Sequence, residues 1–202
     1  MEHKDCQAVI HDAVLEKPRL KITYPRVSGL PDRAVQQRIN QAILDQVYAL
    51  IREQGYIQDP TKEMTGGYEI KWNEGCVLSL YFTNYAYAQG AAHGLTIAHA
   101  LNIDLRSGRV YALSDLFRKG SGYRARISDQ IKKQIKERDV PLIADFKSVD
   151  PNEDYFLTGK DLVIFFQAYE YTPYAYGLPE FPIPYGELED MLGEDSLLRQ
   201  LI

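Results

Sequence analysis

The sequence predicts an α+β fold: antiparallel sheet or sheets, two main helices packed on one face, and a short helix near the C-terminal end. Three observations predict it. Two long segments carry apolar residues at three- and four-residue steps, several shorter ones alternate apolar and polar residues, and clusters of Gly, Pro, Asn and Asp separate them. The 202 residues are 45% hydrophobic and 25% charged, the balance of a globular chain.

Residues 1–17 are polar with weak alternation and read as a leading strand or a mobile arm. Over 18–28, Leu20, Ile22 and Tyr24 alternate with Lys21 and Thr23, a half-buried strand that Pro25 and the Ser28–Asp32 cluster should stop. The clearest helix runs over 32–54, where Val35, Ile39, Ile43, Val47, Leu50 and Ile51 form one apolar stripe. Asp32 is placed as its N-cap and Gly55 as its C-cap.

Residues 67–72, 76–88 and 94–105 read as three antiparallel strands, joined by a turn at Asn73-Glu74-Gly75 and by the Gln89–Gly94 connection. In the third, Ile97, His99, Leu101 and Ile103 share one face. A tight turn then leads into a short strand at 109–112, and Ser114 is placed to cap a turn holding Asp115, Leu116 and Phe117. A second helix is expected over 121–138, with Tyr123, Ile127, Ile131 and Ile135 as its stripe and a basic outer face. The remainder reads as a hairpin (153–158 and 161–171 around Thr158-Gly159-Lys160), a Pro173–Pro184 edge or shaped loop, and a short helix at 185–192. A soft boundary at 58–66 divides a small strand–helix unit, 1–62, from a larger one, 63–202, the two sharing a sheet or core.

Composition excludes several classes. There are 23 Lys and Arg against 28 Asp and Glu, a net charge of −5, which argues against a nucleic-acid binder and mildly favours a basic partner. No apolar run reaches the roughly 18–20 residues of a membrane helix; the strongest, Leu162–Phe166, has the length of a buried strand. The opening Met1–Cys6 lacks a signal-peptide apolar region. Two localisations follow: cytoplasmic if Met1 is the native start, extracytoplasmic if an export signal or anchor has been removed. Cys6 and Cys76 are the only cysteines. In an oxidising compartment they can pair, closing a loop worth roughly 4 kcal/mol in the chain-entropy account; in a reducing one they are two thiols.

No reaction is declared. His93, between Ala92 and Gly94, is either a functional imidazole or a hydrogen-bonded turn histidine. On a continuous strand His99 would lie roughly 20 Å from it, too far to share a metal, and His3 and His11 fall in the N-terminal arm, so no metal or other cofactor is expected. Glu69, Glu74, Asp104, Asp115, Glu170 and Glu180 are scattered, and nucleophile-elbow and phosphate-loop patterns are absent. Were the chain a wall-polymer hydrolase, Glu170, Asp104 or His93 would be its acid or base.

Tyrosine stands out instead. Seven of fifteen fall in two windows, 81–87 and 169–176. By period two, Tyr81, Tyr85 and Tyr87 share one face, as do Tyr169 and Tyr171. These faces either pack into the core or form a contact surface of Tyr85, Tyr87, His93, Tyr169, Tyr171, Tyr174 and Tyr176, suited to protein interfaces or carbohydrate grooves.

At these residues the chain resembles a known family. Gly90–Gly94, Asn102–Phe117, Leu162–Gly177 and Phe181–Pro184 are similar to the extracytoplasmic domain of the lysozyme-sensing anti-sigma factor RsiV, over about 90–192. Tyr24–Leu30 and Ile39–Ile43 resemble the small domain that precedes the catalytic domain in some peptidoglycan deacetylases, whose metal motifs are absent here. The resemblance implies a non-catalytic, extracytoplasmic sensing module of the bacterial envelope that recognises a lysozyme-type protein or a cell-wall glycan. It assigns no contact residue and no oligomeric state. A hydrolase and a cytoplasmic scaffold are the alternatives.

Overall fold

Residues 6–202 are described by a computed structural model, and the chain divides into two compact units, Met1–Val110 and Tyr111–Ile202. The division expected after residue 62 falls inside the first unit, in the connection between its helix and third strand.

In the first unit, β1 (Val9–Lys17) and β2 (Leu20–Ser28) pair antiparallel from Val9↔Ser28 to Lys17↔Leu20. Pro25 does not stop β2. It lies beyond the Leu20–Ile22 stretch where β2 gains its second neighbour, so its missing N–H interrupts no ladder there. Helix α1 (Arg33–Glu53) begins where Asp32 Oδ1 accepts the N–H groups of Ala34 and Val35, and all six stripe residues are buried. Gly55 follows at φ +70°, the conformation expected after a helix end.

Helix α1 packs on β2 and carries the chain across the sheet, so β3 (Glu63–Glu74) joins β2 in parallel, Leu20↔Met64 to Ile22↔Gly66. The sheet is therefore mixed rather than wholly antiparallel: a helical crossover, unlike a hairpin, returns the next strand in the same direction. β4 (Val77–Tyr87) and β5 (Leu95–Asp104) complete the five-stranded order β1-β2-β3-β4-β5. The β3–β4 turn is Gly75-Cys76, one residue later than expected, with φ of +60° and +63° at its two central residues as a tight hairpin demands. The strand expected at 109–112 is a single bridge, Val110 to Ile103.

Cys6 and Cys76 are joined by a disulfide with a Cα–Cα distance of 4.6 Å. Beside it, Cys76 N donates to Cys6 O, and Asn73 exchanges two side-chain hydrogen bonds with the backbone of Ala8. His11, expected in a mobile arm, sits in β1 with Nε2 2.9 Å from Ser28 Oγ; His3 lies outside the described residues.

The second unit contains α2 (Tyr123–Glu137), with Ile127 and Ile131 buried, and a three-stranded antiparallel sheet of β6 (Tyr155–Leu157), β7 (Asp161–Phe165) and β8 (Glu180–Pro184). The two main helices thus belong to different units and different sheets instead of sharing one face. α2 packs against β8, where Gln134 Nε2 donates to Pro182 O. The proline-rich β8 is an edge strand, as its composition requires. Ser114 is not a cap: it lies within a 3₁₀ turn, Leu113–Leu116, where Asp115 Oδ2 accepts the Ala112 N–H. The short helix expected at 185–192 is two 3₁₀ turns, Tyr185–Glu187 and Glu189–Met191. With three residues per turn, Leu188 and Met191 fall one above the other, and both are buried.

Candidate binding surfaces

The second tyrosine window is not a strand. β7 ends at Phe165, and two local contacts turn the chain: Glu170 Oε2 accepts the Gln167 N–H at 3.0 Å, and Tyr169 N donates to Thr172 O at 3.1 Å. Tyr169 takes φ +69°, so the period-two face shared by Tyr169 and Tyr171 does not exist. Instead the two rings part. Tyr171 turns inward, edge-on to Phe166 and Phe146 at centroid distances of 4.8 and 5.4 Å. Tyr169, 49% exposed, stacks on Tyr174 at 5.5 Å with its ring inclined 28°. Tyr176 is also exposed, its hydroxyl 3.4 Å from an Arg138 nitrogen that donates to it. Ile143, exposed itself, donates its N–H to Tyr171 O, which sets it and exposed Leu142 beside the loop. The loop therefore has a rigid aromatic root and an outward aromatic tip, a geometry that presents contact area at small entropic cost.

The unit that carries this loop is acidic, although Arg138 stands at Tyr176. Between Tyr111 and Ile202 stand sixteen Asp and Glu against eleven Lys and Arg, so this unit carries the whole net charge of −5. Glu153 Oε2 accepts the Asp150 N–H. Burial, reinforced by the charges of Glu170, Asp154 and Asp150, pushes the Glu153 carboxyl up to about 7, although the Asp150 hydrogen bond acts the other way. Glu170 is raised as well, first by burial and then by Asp154, its bond to Gln167 opposing the shift. The sequence reading singled out Glu170 but missed Glu153, which sits in an ordinary-looking Asp-Pro-Asn-Glu-Asp turn; nothing in that pattern announces its burial.

In the first unit, Tyr81, Tyr85 and Tyr87 do share a face of β4, but exposure changes along the strand: Tyr81 is buried, Tyr87 half-buried and Tyr85 exposed. The Tyr85 ring lies over Gly94, where a Cβ would come within 2.3 Å of it. His93 precedes β5 rather than lying on it, and its Nδ1 contacts Gly94 O at 2.9 Å. It borders an open cavity of about 390 Å³ between the C-terminal end of α1 and the loop end of the β4–β5 hairpin, with Glu53, Lys62, Ala86 and Leu95 among its other walls. His99 faces α1, its Nε2 2.8 Å from Glu53 Oε2. Asp104, at the far end of β5 from His93, is spent on the following turn, accepting from Arg106 N and Ser107 Oγ. His93 and Asp104 are thus not brought together. Among the described residues no group of three or more His, Cys, Asp or Glu is arranged to hold a metal ion, and no helix is long and apolar enough to cross a membrane.

The chain resembles the anti-sigma factor RsiV along nearly its whole length. Identity to "Anti-sigma-V factor RsiV" of Bacillus subtilis (strain 168) is 26%, covering 91% of this chain and 69% of that protein. Residues 114–186 match the family described as a protein of unknown function (DUF3298), and residues 12–96 match the one described as deacetylase PdaC. The two matched stretches fall in the two separate units, one in each. The fold is shared with a crystal structure of a DUF3298 member from Bacteroides fragilis (TM-score 0.69, 17% identity, 98% of this chain and 99% of that one). It is also shared with a DUF3298 protein from Pseudomonas aeruginosa PAO1 (TM-score 0.64, 16% identity, 93% and 94%).

Proposed function

We propose that this protein is a non-catalytic extracytoplasmic sensing module of the bacterial envelope, and that the Tyr169–Tyr176 loop contacts a basic protein ligand of the lysozyme type. The observation that carries the reading is the exposed Tyr169–Tyr174 stack on the more acidic of the two units. Exposed tyrosines on a rigid root act as binding anchors, and surrounding carboxylates steer a cationic partner toward them. Similarity to RsiV supports a sensing role, and the Cys6–Cys76 disulfide favours an oxidising compartment over a cytoplasmic scaffold. An exposed tyrosine stack also suits a sugar ring, which keeps a cell-wall glycan as the second reading.

Calorimetric titration with a lysozyme-type muramidase and, separately, with soluble peptidoglycan fragments tests both. Binding of the muramidase, weakened at least tenfold in Tyr169→Ala/Tyr174→Ala, is the expected result. Saturable binding of the fragments alone moves the assignment to the glycan. Silence toward both overturns the sensing role, and turnover of the fragments revives the hydrolase.

A further inference from the structure

The cavity in the first unit lies outside the tyrosine loop and is independent of the function proposed for it. Its volume, about 390 Å³, falls at the small end of the roughly 300–1,000 Å³ typical of ligand sites. Ala86, Ala88, Ala91, Leu95 and Ile97 give it a wall of short apolar side chains. Two groups of opposite charge stand on the same cavity without pairing to each other. Lys62 donates from Nζ to Gln54 O at 2.5 Å, which anchors the ammonium against the last turn of α1. That contact uses one of its three hydrogens, and Lys62 forms no ion pair among the described residues.

Glu53 is held from the other side. His99 engages Oε2 at 2.8 Å, and Oε1 forms no hydrogen bond or ion pair among the described residues. Between them Gln54 is buried and held at both ends of its amide: its side chain donates to Leu95 O at 2.8 Å and accepts from Asn84 Nδ2 at 2.5 Å. The wall is therefore rigid where the two charges emerge from it. An anchored ammonium, a carboxylate and an apolar wall together match one ligand chemistry. It carries a carboxylate for Lys62, a short apolar side chain for the alanine-lined wall and, when its amine is free, an ammonium for Glu53.

We infer that this cavity binds the carboxylate end of an apolar amino acid, either free or as the C-terminal residue of a peptide. Lys62 is then the carboxylate-binding residue, and Glu53 the residue that distinguishes the two sources, because a peptide-linked nitrogen carries no charge. His93 closes the rim.

The test is titration of the whole chain with L-leucine, N-acetyl-leucine and leucinamide, followed by the methyl resonances of Ala86, Leu95 and Ile97. Leucine or N-acetyl-leucine should shift them saturably, leucinamide at least tenfold more weakly, and Lys62→Met should remove the difference. In Glu53→Gln, loss of leucine binding with N-acetyl-leucine unchanged assigns free amino acids; no change for either assigns peptide ends. Ala91→Trp, which fills the cavity from its wall, should abolish the shifts while the rest of the spectrum stays native. The inference is overturned if leucinamide acts as strongly as the tighter of leucine and N-acetyl-leucine, if none of the three ligands shifts these methyls, or if Ala91→Trp binds as well as the native chain.

Discussion

Gly94 is required because of what occupies its missing side chain. The Tyr85 ring fills the place a Cβ would take, and Gly94 has no left-handed φ, so the constraint is the close approach alone. Gly94→Ala must therefore push the ring aside, at a cost toward the lower end of the roughly 1–3 kcal/mol seen for overpacking, since Tyr85 is partly exposed. In a Tyr85→Ala background the same change should cost only a few tenths of a kcal/mol, and urea melts of the four variants give the coupling directly. Glu153 supplies the second residue-scale expectation. Its folded carboxyl titrates near 7 against an ordinary 4.5, so between those values the folded state keeps a proton that the unfolded state has lost. Stability contributed at this site is thus intact below about pH 4.5 and declines as pH rises toward 7. Glu153→Gln keeps an oxygen for the Asp150 N–H and removes the charge. It should stabilise the protein by about 1 kcal/mol at pH 8, after discounting for solvent screening, and leave it unchanged at pH 4. An equal effect at both pH values would show that the carboxylate is not the cause.

At the scale of elements, what was legible in the sequence was what local physics decides. α1 was readable to within a residue at both ends, because its stripe, its Asp32 cap and its following glycine all agree. The β4 face of alternating tyrosines was readable for the same reason. The 166–173 turn was not: Tyr169 and Tyr171 keep the period of a strand while Glu170, reaching back to Gln167, folds the backbone into a turn. The parallel β2–β3 pair is legible only in the strand–helix–strand order of β2, α1 and β3, which favours a crossover, and not in the residues of either strand, whose apolar pattern is the same in both directions. Glu153 was hidden because burial of a carboxylate is a property of the tertiary structure. The Cys6–Cys76 link is the element whose contribution can be measured. It ties residues 70 apart and fastens the segment leading into β1 to the β3–β4 turn. Replacing both cysteines by serine should lower stability by about 2–4 kcal/mol, read as a fall in the urea midpoint that added reductant does not deepen. A native chain whose midpoint is indifferent to reductant would mean that the bond contributes nothing.

For the whole molecule, the uneven charge matters more than its sum. A net of −5 over 202 residues is unremarkable for solubility, but the first unit is neutral, with twelve basic and twelve acidic residues, and the second carries the entire excess. On the proposed function, charge of that kind would act at long range on the rate of encounter, whereas the stacked tyrosines would act only on contact and hold the complex once formed. The two contributions should therefore separate kinetically. Raising ionic strength from 50 to 300 mM should slow association of a lysozyme-type partner by about tenfold and leave its dissociation nearly unchanged, because screening lengths shrink below the distances over which steering operates. Tyr169→Ala/Tyr174→Ala should do the reverse, speeding dissociation at every salt concentration with little effect on association. Surface-immobilised binding kinetics on both axes distinguish this from a purely electrostatic attachment, in which salt would change both rates and the tyrosine pair neither. A glycan ligand, being nearly uncharged where it meets the rings, would respond to the tyrosine substitutions and hardly at all to salt.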